Sequence, residues 1–230
     1  MLRERASVRI GVCALIAGAT ACAAAGGPGS PGSSPPDPAV EARVIGSTRQ
    51  ERRLQVVFDW SMQDRDARFS GRGLLRLDRG ERARVDLYGQ RGETVAAAVL
   101  ERDVMRVVPQ EAAALLPPPA LLWSVLGTFR PPAGAPLVAT QADGGETILV
   151  YGREDATWQF VFADDVLRST EWTAGGRRRT VELSGSAGTG LPREAQFRDW
   201  TEFRELSLSV VEVEERTAFE ADVWILPGER

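Results

Sequence analysis

Histidine is absent from all 230 residues. No imidazole is available as general base, general acid or metal ligand, which removes every mechanism built on one. Cysteine occurs only twice, at Cys13 and Cys22, too early in the chain to staple a domain or assemble a thiolate metal site. The folded part is therefore expected to hold no disulfide, no metal and no cofactor. Charge blocks are missing as well: 28 basic and 32 acidic residues give a net charge of -4 and are mixed along the chain, which leaves no footprint for a nucleic acid. No phosphate-cradling glycine motif, Gly-x-Ser-x-Gly elbow or fixed-period repeat occurs. Acids do cluster, at Asp164-Asp165 and at Glu212, Glu214 and Glu215, but neighbouring acids on a strand point to opposite faces, and a turn pair is solvated. A glycan hydrolase using two such acids is thus the weakest of the functions considered, and the expectation is a protein that is not an enzyme.

The first residues read as a processing signal. Arg3, Arg5 and Arg9 precede a short apolar core, Ile10 to Ala19, and small residues lead up to Cys22. The apolar run is too short to span a bilayer. Ala19-Thr20-Ala21-Cys22 resembles a bacterial lipobox, with Ala19 where leucine is usual. That resemblance implies a signal peptide over residues 1–21 and a diacylglycerol-modified Cys22 as the mature N-terminus. Cleavage by an ordinary signal peptidase, giving a soluble periplasmic protein, is the alternative. Ala23, where inner-membrane lipoproteins often carry aspartate, points to the outer membrane, with the domain facing the periplasm. Residues 22–39 form a lipidated Cys and Gly/Pro/Ser linker that cannot bury enough apolar surface to fold, and as a flexible tether they reach roughly 20–25 Å.

The domain is expected over residues 40–230. Val40 to Arg53 carries a weak helical pattern, and Leu54 to Trp60 a first strand. The stretch from Arg68 to Leu100 organises the rest. Phe69, Leu75 and Leu77 alternate with Arg68, Arg72, Arg76 and Asp78, and Ala83, Val85 and Leu87 with Arg82, Arg84 and Asp86, the period-2 pattern of a sheet apolar on one face and wet on the other. Asp78-Arg79-Gly80 and Gly89 to Gly92 supply the turns. A further strand runs from Asp103 to Val108. After it, EAAALL is a short helical piece, and Ala120 to Gly127 is a helix that starts after prolines, stops at glycine and has almost no polar face, so it must be buried, most simply inside the curve of the sheet. Thr147–Tyr151, Trp158–Phe162, Val166–Thr173, Arg177–Leu183, Arg193–Trp200 and Leu206–Glu214 complete about eleven strands, and Phe219 to Pro227 is a last apolar segment expected at a sheet edge. The fold class is mainly β: a curved antiparallel half-barrel with a short helical lid or plug.

A lipoprotein signal, a meander of long strands, the insertion LPPPALLWSVLG and later strands ending near LPREAQFRDW and LSLSVVEVEE together resemble the LolA/LolB superfamily of lipoprotein-localisation proteins, over residues 50 to 226. The resemblance implies an unclosed half-barrel lidded by helices, with an apolar cavity that receives acyl chains of lipoproteins. A ten-residue strand is about 33 Å long, comparable with an extended acyl chain, so a trough of this kind fits the cargo. The implied cavity residues are Phe58, Trp60, Leu75, Leu77, Val85, Leu87, Val95, Val99, Leu122, Trp123, Leu126, Phe160 and Phe162. Implied partners are acyl chains or acylated lipoproteins, a periplasmic carrier protein, and the membrane through the lipid anchor, with the protein itself a monomer. In the receptor branch, the turn equivalent to Gly89-Gln90-Arg91-Gly92 exposes a leucine that enters the membrane. Gln90 or Arg91 stands there in this chain. The competing account is a structural or partner-binding envelope lipoprotein whose sheet encloses an ordinary filled core.

Overall fold

The structure is a computed structural model and describes residues 33–229. The signal segment and Cys22 lie outside the described residues.

The strands in chain order are β1 (Ser33–Ser34), β2 (Arg53–Gln63), β3 (Arg68–Asp78), β4 (Arg82–Gly89), β5 (Thr94–Glu101), β6 (Val104–Val108), β7 (Leu137–Asp143), β8 (Glu146–Arg153), β9 (Ala156–Ala163), β10 (Val166–Ala174), β11 (Arg177–Ser184), β12 (Glu194–Asp199) and β13 (Arg204–Arg216). They form one antiparallel sheet in the order β1-β7-β8-β9-β10-β11-β12-β13-β2-β3-β4-β5-β6. Two consecutive meanders, β2 to β6 and β7 to β13, are therefore sewn together where β13 lies beside β2, from Glu205 opposite Gln63 to Arg216 opposite Arg53. The end strands do not meet, so the sheet is an open half-barrel. Asp78-Arg79-Gly80 turns as its sequence predicts, with Arg79 and Gly80 at φ 49° and 64°, the left-handed pair that matches strand twist. Asp164 and Asp165 form a second such turn at φ 51° and 58°, a conformation aspartate tolerates, which accounts for that acidic pair without chemistry.

Among the described residues two α-helices accompany the sheet. The first, α1 (Pro38–Thr48), begins where Asp37 Oδ1 accepts from the N–H groups of Ala39 and Val40 and Pro38 occupies the first turn. The folded part thus starts before residue 40: Ser33 and Ser34 pair with β7, and the stretch expected to remain linker up to Ala39 enters the helix. The second, α2 (Pro119–Val125), is enclosed between Pro118 and Gly127, whose φ of 72° ends it. Leu121 to Val125 are all buried, as a helix without a polar face must be. It rests on β10, β11 and β12 and belongs to the same apolar cluster as side chains from β2, β3, β4 and β5, so it plugs the concave face. Gln110–Leu115, expected as a helical piece, is a 3-10 turn leading into it.

The outer face departs from expectation. Over β4 and β5 it is not wet, because the C-terminal segment crosses it: Trp224 and Leu226 pack on Ala97 and Val99. Arg84 donates to the carbonyls of Val223 and Ile225 (2.7 and 3.2 Å), and Arg82 stacks on the Trp224 ring. Beneath this strap Asp86 is only 2 % exposed, held by Arg76 at 2.8 Å and Arg84 at 2.9 Å. The segment expected at an edge thus converts part of the solvated face into a second, thin core.

Candidate functional site

Period-2 alternation places one set of side chains from each strand on the concave face, and two apolar clusters form there. The larger gathers Leu54, Val56, Phe58, Trp60 and Met62 of β2 with their partners on β3 to β5, β11 to β13 and α2. The smaller sits under α1, where Val44 covers Leu149, Tyr151, Phe160, Phe162 and Leu167 around Phe129. Phe129 meets Phe160 and Phe162 edge-on at centroid distances of 4.8 and 5.1 Å, so this second cluster is filled. Tyr151 donates to Glu41 of α1, and burial, then this carboxylate, push its phenol pKa well above the ordinary value.

The larger cluster is not filled. Between the concave face and α2 lies a cavity of about 40 Å³, bordered by Val56, Phe58, Leu75, Val85 and Leu87 on the first meander, Ala195, Leu206, Leu208 and Val210 on the second, and Leu116, Leu122, Val125 and Leu126 of the lid. Leu191, Pro192 and Arg193 of the loop before β12 complete the lining, and the Arg193 guanidinium donates to the Val210 carbonyl at 3.0 Å. A lining of this kind offers buried water too few partners, while an engineered apolar cavity of about 150 Å³ stays dry and takes up benzene. At 40 Å³ the space is smaller than one aromatic ring requires, so an acyl chain fits only after the lid has moved.

The lid is held by few polar contacts. The Trp123 indole N–H donates to the Arg102 carbonyl at 2.6 Å, the Thr170 hydroxyl donates to Ser124 at 3.0 Å, and Arg204 reaches the Ala114 carbonyl. Arg130 stacks on the Trp123 ring and donates to the Gly80 carbonyl, and burial draws its guanidinium pKa below the ordinary value. Among the described residues the other contacts of α2 are with the apolar cluster, and such packing is non-directional.

Of the thirteen residues named from sequence, Phe58, Leu75, Val85, Leu87, Leu122 and Leu126 border the cavity. Trp60, Leu77 and Trp123 lie in the same cluster but are packed, Trp60 donating to the Tyr88 carbonyl and Trp123 to Arg102, and Val95 sits at its partly buried margin. Phe160 and Phe162 belong to the filled cluster around Phe129. Val99 faces the other way with Ala97, against Trp224, while Ala96, Ala98 and Leu100 face the concave cluster, and the register shift that leaves Val95 unpaired separates it from Val99. The contribution of β13 was visible as the alternation Leu206, Leu208, Val210. Ala195 alternates with Phe197 on β12, whereas Leu191 and Pro192 stand in a glycine-rich loop with no periodicity to mark them. At the Gly89 to Gly92 turn, the exposed Gln90 side chain donates to Ser70 and Arg91 N–H to Glu93.

No protein-family model matches this chain, and no curated protein matches it in sequence. Solved structures do match in fold. A LolA superfamily protein from Nitrosomonas europaea superposes with a TM-score of 0.55 at 12% identity, covering 79% of this chain and 96% of that one. A DUF1329 family protein from Desulfovibrio piger gives 0.48 at 6% identity, covering 83% and 98%. A Vibrio parahaemolyticus domain assigned to outer-membrane lipoprotein sorting gives 0.41 at 7% identity, covering 81% and 94%. The chain has the LolA/LolB-type fold: a mainly β open sheet with a short helical lid, as the sequence resemblance implied. Among the described residues no helix is long and apolar enough to cross a membrane, and no cluster of three His, Cys, Asp or Glu residues is placed to hold a metal ion.

Proposed function

We propose that this chain is an exported envelope lipoprotein, anchored through Cys22, that binds an acyl chain or the lipid group of a lipoprotein between its concave sheet and α2 and takes part in transferring or receiving it at the outer membrane. One observation carries the proposal: the space under α2 is lined by apolar side chains from five strands, α2 and the loops beside them, and lies beneath a lid that few polar contacts restrain. The shared fold supports it, since the Nitrosomonas europaea neighbour is named as a LolA superfamily protein. The chemistry is reversible burial with no covalent step. Each methylene taken from water is worth about 0.8 kcal/mol, so a chain of a dozen or more carbons repays the displacement of a short helix.

The small resting volume favours a competitor, an envelope lipoprotein with a filled core that binds a protein partner on its surface. Native mass spectrometry of the protein purified from the membrane fraction of its expression host separates the two. The carrier retains an acylated species at near-stoichiometric level, and Ala195→Phe, which fills the cavity, loses it. A filled core yields the bare mass in both proteins and takes up no added acylated peptide.

A further inference from the structure

A second, wetter space adjoins the cavity. It measures about 240 Å³ and lies between the C-terminal turn of α1, the start of β10 and the loop joining β11 to β12. Leu191 and Pro192 border both spaces, so they are the partition between them. The loop carrying that partition runs through Gly185, Gly188, Thr189 and Gly190, all at positive φ. It is pinned mainly by Gln50, whose side-chain amide donates to the Thr189 carbonyl at 2.6 Å.

The outer space has one charged side chain in its wall, Arg168, and no carboxylate. Among the described residues Arg168 forms no ion pair, hydrogen bond or ring contact. That is conspicuous in a chain whose basic residues are all arginine and mostly engaged, for example Arg43 with Asp165, Arg178 with Glu171 and Arg179 with Asp199. The two acids nearest along the chain, Asp165 and Glu171, are occupied by Arg43 at 3.0 Å and by Arg178 at 2.6 Å. Ser186 Oγ accepts from Gly188 N–H, which leaves its proton free to donate into the same space. A half-buried arginine and a hydroxyl proton, with no protein anion to satisfy them, form a donor set for an anionic oxygen group.

We propose that this outer space takes the phosphate or carboxylate head of an anionic amphiphile whose chain occupies the cavity, the molecule lying across the Leu191-Pro192 partition with Arg168 as its head-group ligand. The inference rests on the acyl-binding reading above and narrows its cargo to an amphiphile with an anionic head, which Arg168 selects.

Isothermal titration of the purified protein below the micellar concentration, with dodecyl phosphate, dodecyl maltoside and inorganic phosphate as probes, tests it. Dodecyl phosphate is expected to bind about tenfold more tightly than the maltoside, the order of effect of one charge-assisted hydrogen bond. Arg168→Gln is expected to abolish that preference while leaving maltoside affinity unchanged, and Arg168→Lys to keep part of it, since an ammonium cannot make the two-pronged contact. Equal binding of the two amphiphiles, or a preference that survives Arg168→Gln, overturns the head-group site and leaves chain binding standing. Binding of inorganic phosphate that depends on Arg168, without preference for dodecyl phosphate, makes this a free-anion site and also overturns the proposal. Failure of both amphiphiles to bind instead removes the acyl-binding reading itself.

Discussion

Truncating one lid residue separates a ligand cavity from a core with a packing gap. Leu122 is 1 % exposed and borders the cavity, so Leu122→Ala removes packing and adds its own volume to the space already there. Such a change costs about 2–5 kcal/mol. With each kcal/mol worth about 2–4 °C in a domain of this size, a mid-range loss of about 3 kcal/mol lowers Tm by roughly 6–12 °C. Leu54→Ala is the matched control: Leu54 is fully buried in the same cluster but does not border the cavity. A ligand at a hundred times its Kd restores about 2.7 kcal/mol, or roughly 5–11 °C. Wild type has to open a 40 Å³ space before dodecyl maltoside fits, whereas Leu122→Ala has part of the room already made, so its thermal shift with the amphiphile exceeds that of wild type. Leu54→Ala shows a shift no larger than wild type. Scanning calorimetry with and without the amphiphile reads all three proteins. Equal shifts in the three, or none in any, refute the reasoning and make the gap a packing defect.

Asp86→Ala leaves the half-buried Arg76 and Arg84 without their counter-ion, and urea denaturation should register a loss of about 2–3 kcal/mol, below the range for a fully buried pair. Trp224→Ala empties the strap's contact with Ala97 and Val99. A cost of about 3 kcal/mol is expected, with faster amide exchange confined at first to residues 217–229. Asp199 is held below the usual carboxylate range: burial opposes its charge, but Arg179 at 2.6 Å and the N–H groups of Thr201 and Glu202 outweigh that. Because the folded value is the lower one, this stabilisation is present above the unfolded value of about 3.9 and is lost as pH falls through the folded value. Asp199→Asn should therefore be clearly less stable than wild type at pH 7, and the gap between their urea midpoints should narrow below about pH 4. Burial and Glu41 keep Tyr151 protonated into strong alkali, so Tyr151→Phe should leave the rise in phenolate absorbance up to about pH 11 unchanged.

Much of the sheet was legible because alternation is a strong local signal. Strands β2, β3 and β4, with their inward Leu54, Val56, Phe58, Leu75, Leu77, Val85 and Leu87, stand as their sequences predict. Strand β7 escaped because LVATQAD pairs two aliphatic residues with small and polar ones between a proline and two glycines, leaving no period to follow. The site divides along the same line. Residues on strands and on α2 were identifiable, but Leu191 and Pro192 reach the cavity through a loop whose course is set by glycine backbone angles and by Gln50, more than a hundred residues away. The misplacement of Val99 has a different origin. Ala96 to Leu100 are apolar on both faces, and only the strap, placed by long-range contacts of Trp224 and Leu226, decides which face is outer.

The most direct test of acyl binding is cross-linking with a fatty acid carrying a diazirine in mid-chain, followed by peptide mapping of the irradiated protein. The account predicts labels on Leu122 and Leu126 of the lid and on Val56, Leu191 and Leu206 around them, all suppressed by Ala195→Phe. Labels confined to the outer surface, or scattered and unaffected by filling the cavity, would contradict it.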